Sequence, residues 1–462
     1  MHVTDDDTLL PFSLPPVCRK KVSAAFDGGT ISSDGGVFLL AGADKRLGSI
    51  ERLAGLVPDG RDQSLISHSI ADILRERVFA IACGYPDGND LDVLRKDPAF
   101  KMACGRLPET GLDMASQPTI SRLENTPGLR DLIRLSWGML DLWCRSYKKA
   151  PKSIVLDIDD TADTVHGHQQ MSLFNAYHDE RVFMPIHIYD ADTGHCVQTI
   201  LRPGKTPGGK EVRAHLRRLV RRIRMHWPKT AILIRGDSHY GRKEAMEWCE
   251  QNRVDYIFGF GPNTVLAEQI FSKLDEICVR RAIGQENKVR GFTATRYAAK
   301  SWTRIRRVIA RIEATRKGAD VRYVVTNIRY RSAKHLYEKV YCVRGQAENL
   351  IKRHKSQLAS DRTSCRSPLA NQICMRWLTR PSATVHRILH TAAYWLMRTL
   401  RDAIPRSEAL ASGEFSTIRN RLLKIAVRVR ETGSRIKLSF AANCPDARLF
   451  RVLVGTMIPR PT

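Results

Sequence analysis

The chain has 462 residues, with 75 Lys and Arg against 48 Asp and Glu and a formal net charge of +27. That length leaves room for roughly two to four domains with a substantial core, and the cationic excess favours a polyanionic partner, nucleic acid first. No stretch approaches the roughly 18 apolar residues of a spanning helix, and the eleven cysteines are scattered without a Cys-x2-Cys pair, which argues against an integral membrane protein and a structural zinc framework. The acidic start Met1-His-Val-Thr-Asp-Asp-Asp lacks the basic region of a signal peptide, so the expected location is cytoplasmic.

Residues 1 to about 60 are turn-rich (Phe26-Asp-Gly-Gly, Ser33-Asp-Gly-Gly), with a short strand predicted at Val37-Phe-Leu-Leu. From about 63 to 149 apolar residues recur at helical spacing: Leu65, Ile66, Ile70, Ile73 and Leu74, then Leu129, Leu132, Ile133, Trp137, Leu140 and Trp143. Between them, Ser116-Gln-Pro-Thr-Ile-Ser-Arg122 starts like a helix and carries side chains able to reach DNA, so Arg122 is a candidate DNA contact. The pattern changes at Lys152. Strands are predicted over 153–161, 182–189, 196–201, 231–234 and 255–260, with an amphipathic helix from Lys210 to Trp227 between the third and fourth. A three-strand meander followed by β–α–β alternation points to a mixed sheet with flanking helices, an α/β fold. Residues 265–335 read as a β-rich insertion. The remainder reads as helical and basic, with Arg419, Arg421, Lys424, Arg428, Arg430, Arg435 and Lys437 close together.

Acids close the predicted strands. Asp157 and Asp159 share a strand face by the period of two, while Asp160 points the other way; Asp237 ends the fourth strand. Such acids also form turns and caps, but three of them after so apolar a run as Ile-Val-Leu suit metal ligation. A third acid stands in Tyr341-Cys-Val-Arg344-Gly-Gln-Ala-Glu348-Asn-Leu-Ile-Lys352-Arg-His-Lys355. Offsets of 0, 3, 7, 11 and 14 place Tyr341, Arg344, Glu348, Lys352 and Lys355 on one helical face, where the carboxylate can hold metal and the cations can grip phosphate. The alternative for that face is a set of i,i+4 ion pairs, Arg344–Glu348 and Glu348–Lys352. Arg213, Arg217 and Arg221 line the cationic side of the helix from Lys210 and are candidate phosphate contacts. His166 and His168 lie near this acidic group in sequence. Hard oxygen ligands at three separate points suit Mg²⁺ or Mn²⁺, two ions roughly 3.5–4 Å apart in phosphodiester chemistry.

On these residues the chain resembles bacterial insertion-sequence transposases of the DDE class. Their signature Tyr-x2-Arg-x3-Glu-x6-Lys is met by Tyr341, Arg344, Glu348 and Lys355, their Asp-x-Thr context by Asp159-Asp160-Thr161, and their Asp-Ser context by Asp237-Ser238. The run from Glu348 through Asp361 to Cys365 is similar to one branch of them. The resemblance implies a ribonuclease-H-like core with a β insertion between the second and third acids, and catalytic, metal-holding Asp159, Asp237 and Glu348, with Asp157 or Asp160 as alternatives for the first. It implies that Tyr341, Arg344 and Lys355 hold the DNA strand. It further implies binding to terminal inverted repeats and target DNA, strand cleavage and transfer, a homodimer on DNA and association with the bacterial nucleoid. The expected organisation is a DNA-binding region over 1–150, a catalytic core over 151–264 and 336–400, the insertion over 265–335, and a basic region over 401–462. The rivals are a stand-alone nuclease of the same fold and a non-catalytic DNA-binding protein. Three separately placed carboxylates would repel phosphate unless a cation were bound, which favours the enzyme.

Overall fold

A computed structural model describes residues 11–165, 172–362 and 382–458, the last from residue 386 where side chains are concerned. His166, His168 and Cys365 lie outside the described residues. The chain divides into two compact units: 1–54 with 59–123 and 396–462, and 55–58 with 124–395.

The first unit draws on both ends of the chain. Its helices Val37–Leu47, Ile70–Cys83 and Ala447–Met457 bury Leu39, Leu40, Ile73, Val78, Phe79 and Leu453. The strand predicted at Val37-Phe-Leu-Leu is therefore the first turn of a helix. The preceding glycines explain this. Gly35 and Gly36 donate their N–H groups to the carbonyls of Ile425 (2.9 Å) and Leu423 (3.0 Å), and a Cβ on Gly36 would stand 1.8 Å from the Leu422 oxygen. A tight backbone approach thus fixes the turn from which the helix departs. The helix predicted around Leu65 starts only at Ile70, because Ser69 and Asp72 form a reciprocal cap there. The basic C-terminal run is not helical throughout: Val427–Glu431 and Ile436–Phe440 are strands of a hairpin, and Ile31–Ser32 pairs with the first of them.

The second unit is built on an eight-stranded sheet. We number its strands β1 (Ser153–Asp160), β2 (Ile186–Asp190), β3 (Cys196–Ile200), β4 (Ala231–Gly236), β5 (Asp255–Phe260), β6 (Lys288–Tyr297), β7 (Arg306–Thr315) and β8 (Gly318–Thr326). The spatial order is β6-β7-β8-β5-β4-β1-β2-β3. β1, β4 and β5 run parallel, and every other neighbouring pair is antiparallel. β1 is apolar on both faces because it is central. The strand predicted over 182–189 breaks at Met184-Pro185. Glu180–Phe183 pairs with two short strands in a separate small sheet, and Ile186–Asp190 pairs with β1. The predicted insertion does contain three long strands, and they continue the main sheet, since β8 pairs with β5 from Ile257↔Thr326 to Phe260↔Tyr323.

Helix Gly209–His226 buries Val212, Leu216, Leu219, Val220 and Ile223 and packs against helices Lys243–Gln251 and Leu129–Ser146. Asp141, on helix Leu129–Ser146, accepts two hydrogen bonds from Arg222 (2.6 and 2.8 Å) and contacts His226 (2.8 Å), which ties the two helices together. At the far edge, Tyr394 donates to the Gly194 carbonyl (2.8 Å) and Trp395 to the Cys196 carbonyl (2.9 Å). Among the described residues no helix is long and apolar enough to cross a membrane.

Candidate active site

The parallel register of β1 with β4 sets Asp157 beside Arg235 and Ile158 beside Gly236, so Asp159, still paired with His187 of β2, and Asp237, just past the end of β4, stand at the same end of the sheet. Each acid then meets a different partner. Asp157 is 1% exposed, and both of its oxygens accept from Arg235, at 2.6 and 2.7 Å. Arg235 also donates to the Val340 carbonyl (2.9 Å), which holds the end of β4 against the helical stretch 336–357. Asp159 accepts from Arg344 at 2.8 Å and from the backbone N–H of Asp160 at 3.1 Å. Burial, with Asp237 and Asp160 adding to it and Arg344 opposing, pushes its carboxyl up to about 7.

Asp160 accepts a hydrogen bond from Tyr240 Oη (3.0 Å) and faces His239 Nδ1 (3.1 Å). Asp237 accepts from the backbone N–H of His239 (2.9 Å), the Asx-turn role open to any acid at this position, and its other oxygen stands 3.7 Å from His239 Nδ1. Burial also raises the Asp237 carboxyl, with Asp160 adding to the rise. The hydrogen bond to Asp160 raises the imidazole of His239. One ligand atom from each of Asp160, Asp237 and His239 lies within 4.8 Å of the others, an arrangement suited to one cation. The carboxylates fit Mg²⁺ or Mn²⁺ by chemistry, and the like-charge repulsion among them is what a cation would relieve.

The stretch carrying the third acid is one continuous helix of changing width. It is wide over Leu336–Tyr341, tight over Cys342–Gly345, regular over Gln346–Lys352 and wide again over Arg353–Gln357. The single straight face expected from regular spacing is therefore twisted. Ala347, Leu350 and Ile351 are buried where the regular part packs on β1 and β2, and Glu348 and Lys352 stand exposed. Arg344, one of the two i,i+4 neighbours of Glu348, is committed to Asp159 instead. Tyr341 is packed at the end of β5. A Cβ on Gly259 would meet its hydroxyl at 2.9 Å and the Ser238 nitrogen at 2.8 Å, so only glycine admits both. Lys355 donates to the Ala162 carbonyl and lies 3.4 Å from Asp163, a buried acid also bonded by Arg387.

The fold thus brings Asp157, Asp159, Asp160, Asp237, Tyr341 and Arg344 to one end of the sheet, with Lys355 reaching from its helix to the segment that follows β1. Arg213, Arg217 and Arg221 are exposed on the outer side of their helix. Arg122 is exposed on helix Gln117–Asn125, where it donates to the Pro118 carbonyl (3.1 Å). His239 and Tyr240 were not singled out by the sequence. Their signal was weak: a histidine and a tyrosine two and three places after an acid that ends a strand.

No curated protein matches this chain. Among solved structures, a cryo-EM structure of a piggyBac transposase synaptic complex with hairpin DNA is 10% identical, with a TM-score of 0.40, over 92% of this chain and 85% of that one. The family model described as transposase DDE domain group 1 matches residues 14–460. That match spans nearly the whole chain, which therefore belongs to the DDE-domain transposase family, group 1.

Proposed function

We propose that the chain is a metal-dependent DNA transposase of a bacterial insertion sequence, which binds the element's terminal inverted repeats, cleaves the strand and joins the freed end to target DNA. The observation that carries this reading is the convergence of Asp160, Asp237 and His239 ligand atoms within 4.8 Å, beside a buried Asp159 and on a chain of the DDE transposase family. The order β3-β2-β1-β4-β5, with β1, β4 and β5 parallel and β2 antiparallel, supports a ribonuclease-H-like core.

In this reading Asp159, Asp160, Asp237 and Glu348 supply carboxylates, and His239 supplies an imidazole, for two Mg²⁺ or Mn²⁺ ions. When bound, those ions would polarise the attacking hydroxyl and the leaving 3′ oxygen. Arg344 holds Asp159 in place and presents its guanidinium to phosphate. Tyr341 and Lys355 flank the path of the strand, with Lys352 and the Arg213, Arg217 and Arg221 stripe as further phosphate contacts. Arg235 locks Asp157 away from the ions, and Asp157 shapes the site through that pair. Duplex DNA is the partner, held by a homodimer in the bacterial cytoplasm.

The test is cleavage of a labelled duplex carrying the repeat that flanks the gene, in Mg²⁺ and in Mn²⁺, by the wild type and by Glu348→Ala. Cutting at the repeat's edge that falls at least 100-fold in the variant, with duplex binding retained, is the expected result. Equal cutting by both proteins removes Glu348 from the site. Tight binding without cutting in either metal replaces the enzyme with a DNA-binding protein.

A further inference from the structure

The C-terminal basic run is sorted by the fold into two groups. Arg419 donates to the Ala82 carbonyl (2.9 Å), Arg421 to Asp446 (2.8 Å) and Lys424 to Asp34 (2.7 Å), with Lys424 also lying over the Tyr85 ring. These three cations are tied to partners within the first unit, Arg419 and Lys424 partly buried and Arg421 at the surface. Arg428, Arg430, Arg435 and Lys437 are all exposed and belong to the hairpin Val427–Glu431 and Ile436–Phe440 or its tip.

The register of the hairpin puts three of them on one face. Val427 and Val429 are buried, and their partners Phe440 and Leu438 face the same way; Phe440 packs on Phe450 (5.1 Å between ring centroids). Arg428, Arg430, Lys437 and Ser439 therefore point outward together. Arg430 is directly opposite Lys437, where like charges about 5 Å apart destabilise a strand pair. Neither Arg430 nor Lys437 has an acid partner among the described residues. The guanidinium of Arg428 extends over Gly29, whose φ of +75° and lack of a side chain leave it room: a Cβ there would stand 3.1 Å from two of its nitrogens. A repulsive pair kept on an outward face, with a backbone shaped to admit a third cation, is the arrangement an external polyanion would relieve.

We infer that this ribbon is a second DNA-binding surface, on the first unit, that contacts the phosphate backbone of duplex DNA through Arg428, Arg430, Arg435 and Lys437. It adds affinity and registers the duplex through its phosphates. The inference rests on the transposase reading only for the identity of the polyanion.

The test uses the full-length chain with all four cations changed to alanine, compared with the wild type and with a variant carrying Arg428→Lys, Arg430→Lys and Arg435→Lys. Fluorescence anisotropy with a labelled duplex from 50 to 300 mM salt gives the slope of log Kd against log salt. Each phosphate contact contributes about 0.9 to that slope, so the alanine variant, which removes four, is expected to lose about 3.6 and to bind about 10-fold or more weakly at 0.1 M salt. The lysine variant keeps the slope, because charge is what matters. An alanine variant that keeps its thermal midpoint, slope and affinity overturns the inference. So does one that loses binding to phosphatidylserine vesicles while its duplex affinity stays unchanged, which would make the partner an anionic membrane. If metal-dependent cutting is never seen but the slope differs as expected, the catalytic reading fails and the ribbon stands.

Discussion

Asp157, Asp159 and Asp160 occupy three of the last four positions of one strand, yet each has a different chemistry because its partner comes from a different distant segment. Arg235 claims Asp157, Arg344 claims Asp159, and Tyr240 with His239 claims Asp160. Period-two alternation correctly pairs Asp157 with Asp159 on one face, but alternation carries no information about which cation will arrive from 78 or 185 residues away. The pairing leads to a prediction. Asp157→Ala strips the counter-charge from a buried guanidinium, and breaking such a pair costs about 3–5 kcal/mol. Urea unfolding should show a midpoint lowered by that loss. A variant with unchanged stability and weakened metal binding would instead place Asp157 among the ligands.

Elements are joined by buried polar groups as well as by apolar packing, and Glu76 on helix Ile70–Cys83 shows how. It is 2% exposed and accepts from the Ala115 N–H at 2.9 Å, tying the helix to the segment that precedes Gln117. Burial raises its carboxyl from the ordinary 4.5 to about 8. Below pH 4.5 the group is neutral in both folded and unfolded chains. Between there and pH 8 the unfolded chain sheds a proton that the folded chain keeps, so stability falls by ~1.4 kcal/mol per pH unit. Glu76→Gln keeps the acceptor and cannot ionise. Thermal denaturation at pH 5 and pH 8 should therefore show a smaller loss on raising the pH for the variant than for the wild type. Equal losses would mean that Glu76 ionises in the fold at little cost. Element identity was legible where periodicity was long or a run was apolar on both faces, as at Ser153–Asp160, Ala231–Gly236 and Gly209–His226. It was misread at Val37–Leu40, where four apolar residues fit helix and strand equally, and at Val427–Phe440, where clustered cations hid the alternation of Val427 and Val429.

At the scale of the molecule, the sequence shows the order of the pieces and not their neighbours. Residues 1–54 and 59–123 share a unit with 396–462, and the three strands after Lys288 extend the main sheet through the pairing of β8 with β5. Both facts depend on contacts between segments tens to hundreds of residues apart, which local patterns do not encode. The stretch from Tyr341 to Lys355 was legible as a row of polar residues at helical spacing. Its geometry was not, because the helix widens and tightens along its length. Transposase chemistry at this site requires the acids at the ends of β1 and β4 to hold a divalent cation. Calorimetric titration of Mn²⁺ into the wild type, Asp160→Ala and Asp237→Ala tests it directly. The expected result is saturable binding by the wild type that is lost or weakened at least 10-fold in each variant, with all three proteins folded. Equal binding isotherms for all three would contradict it.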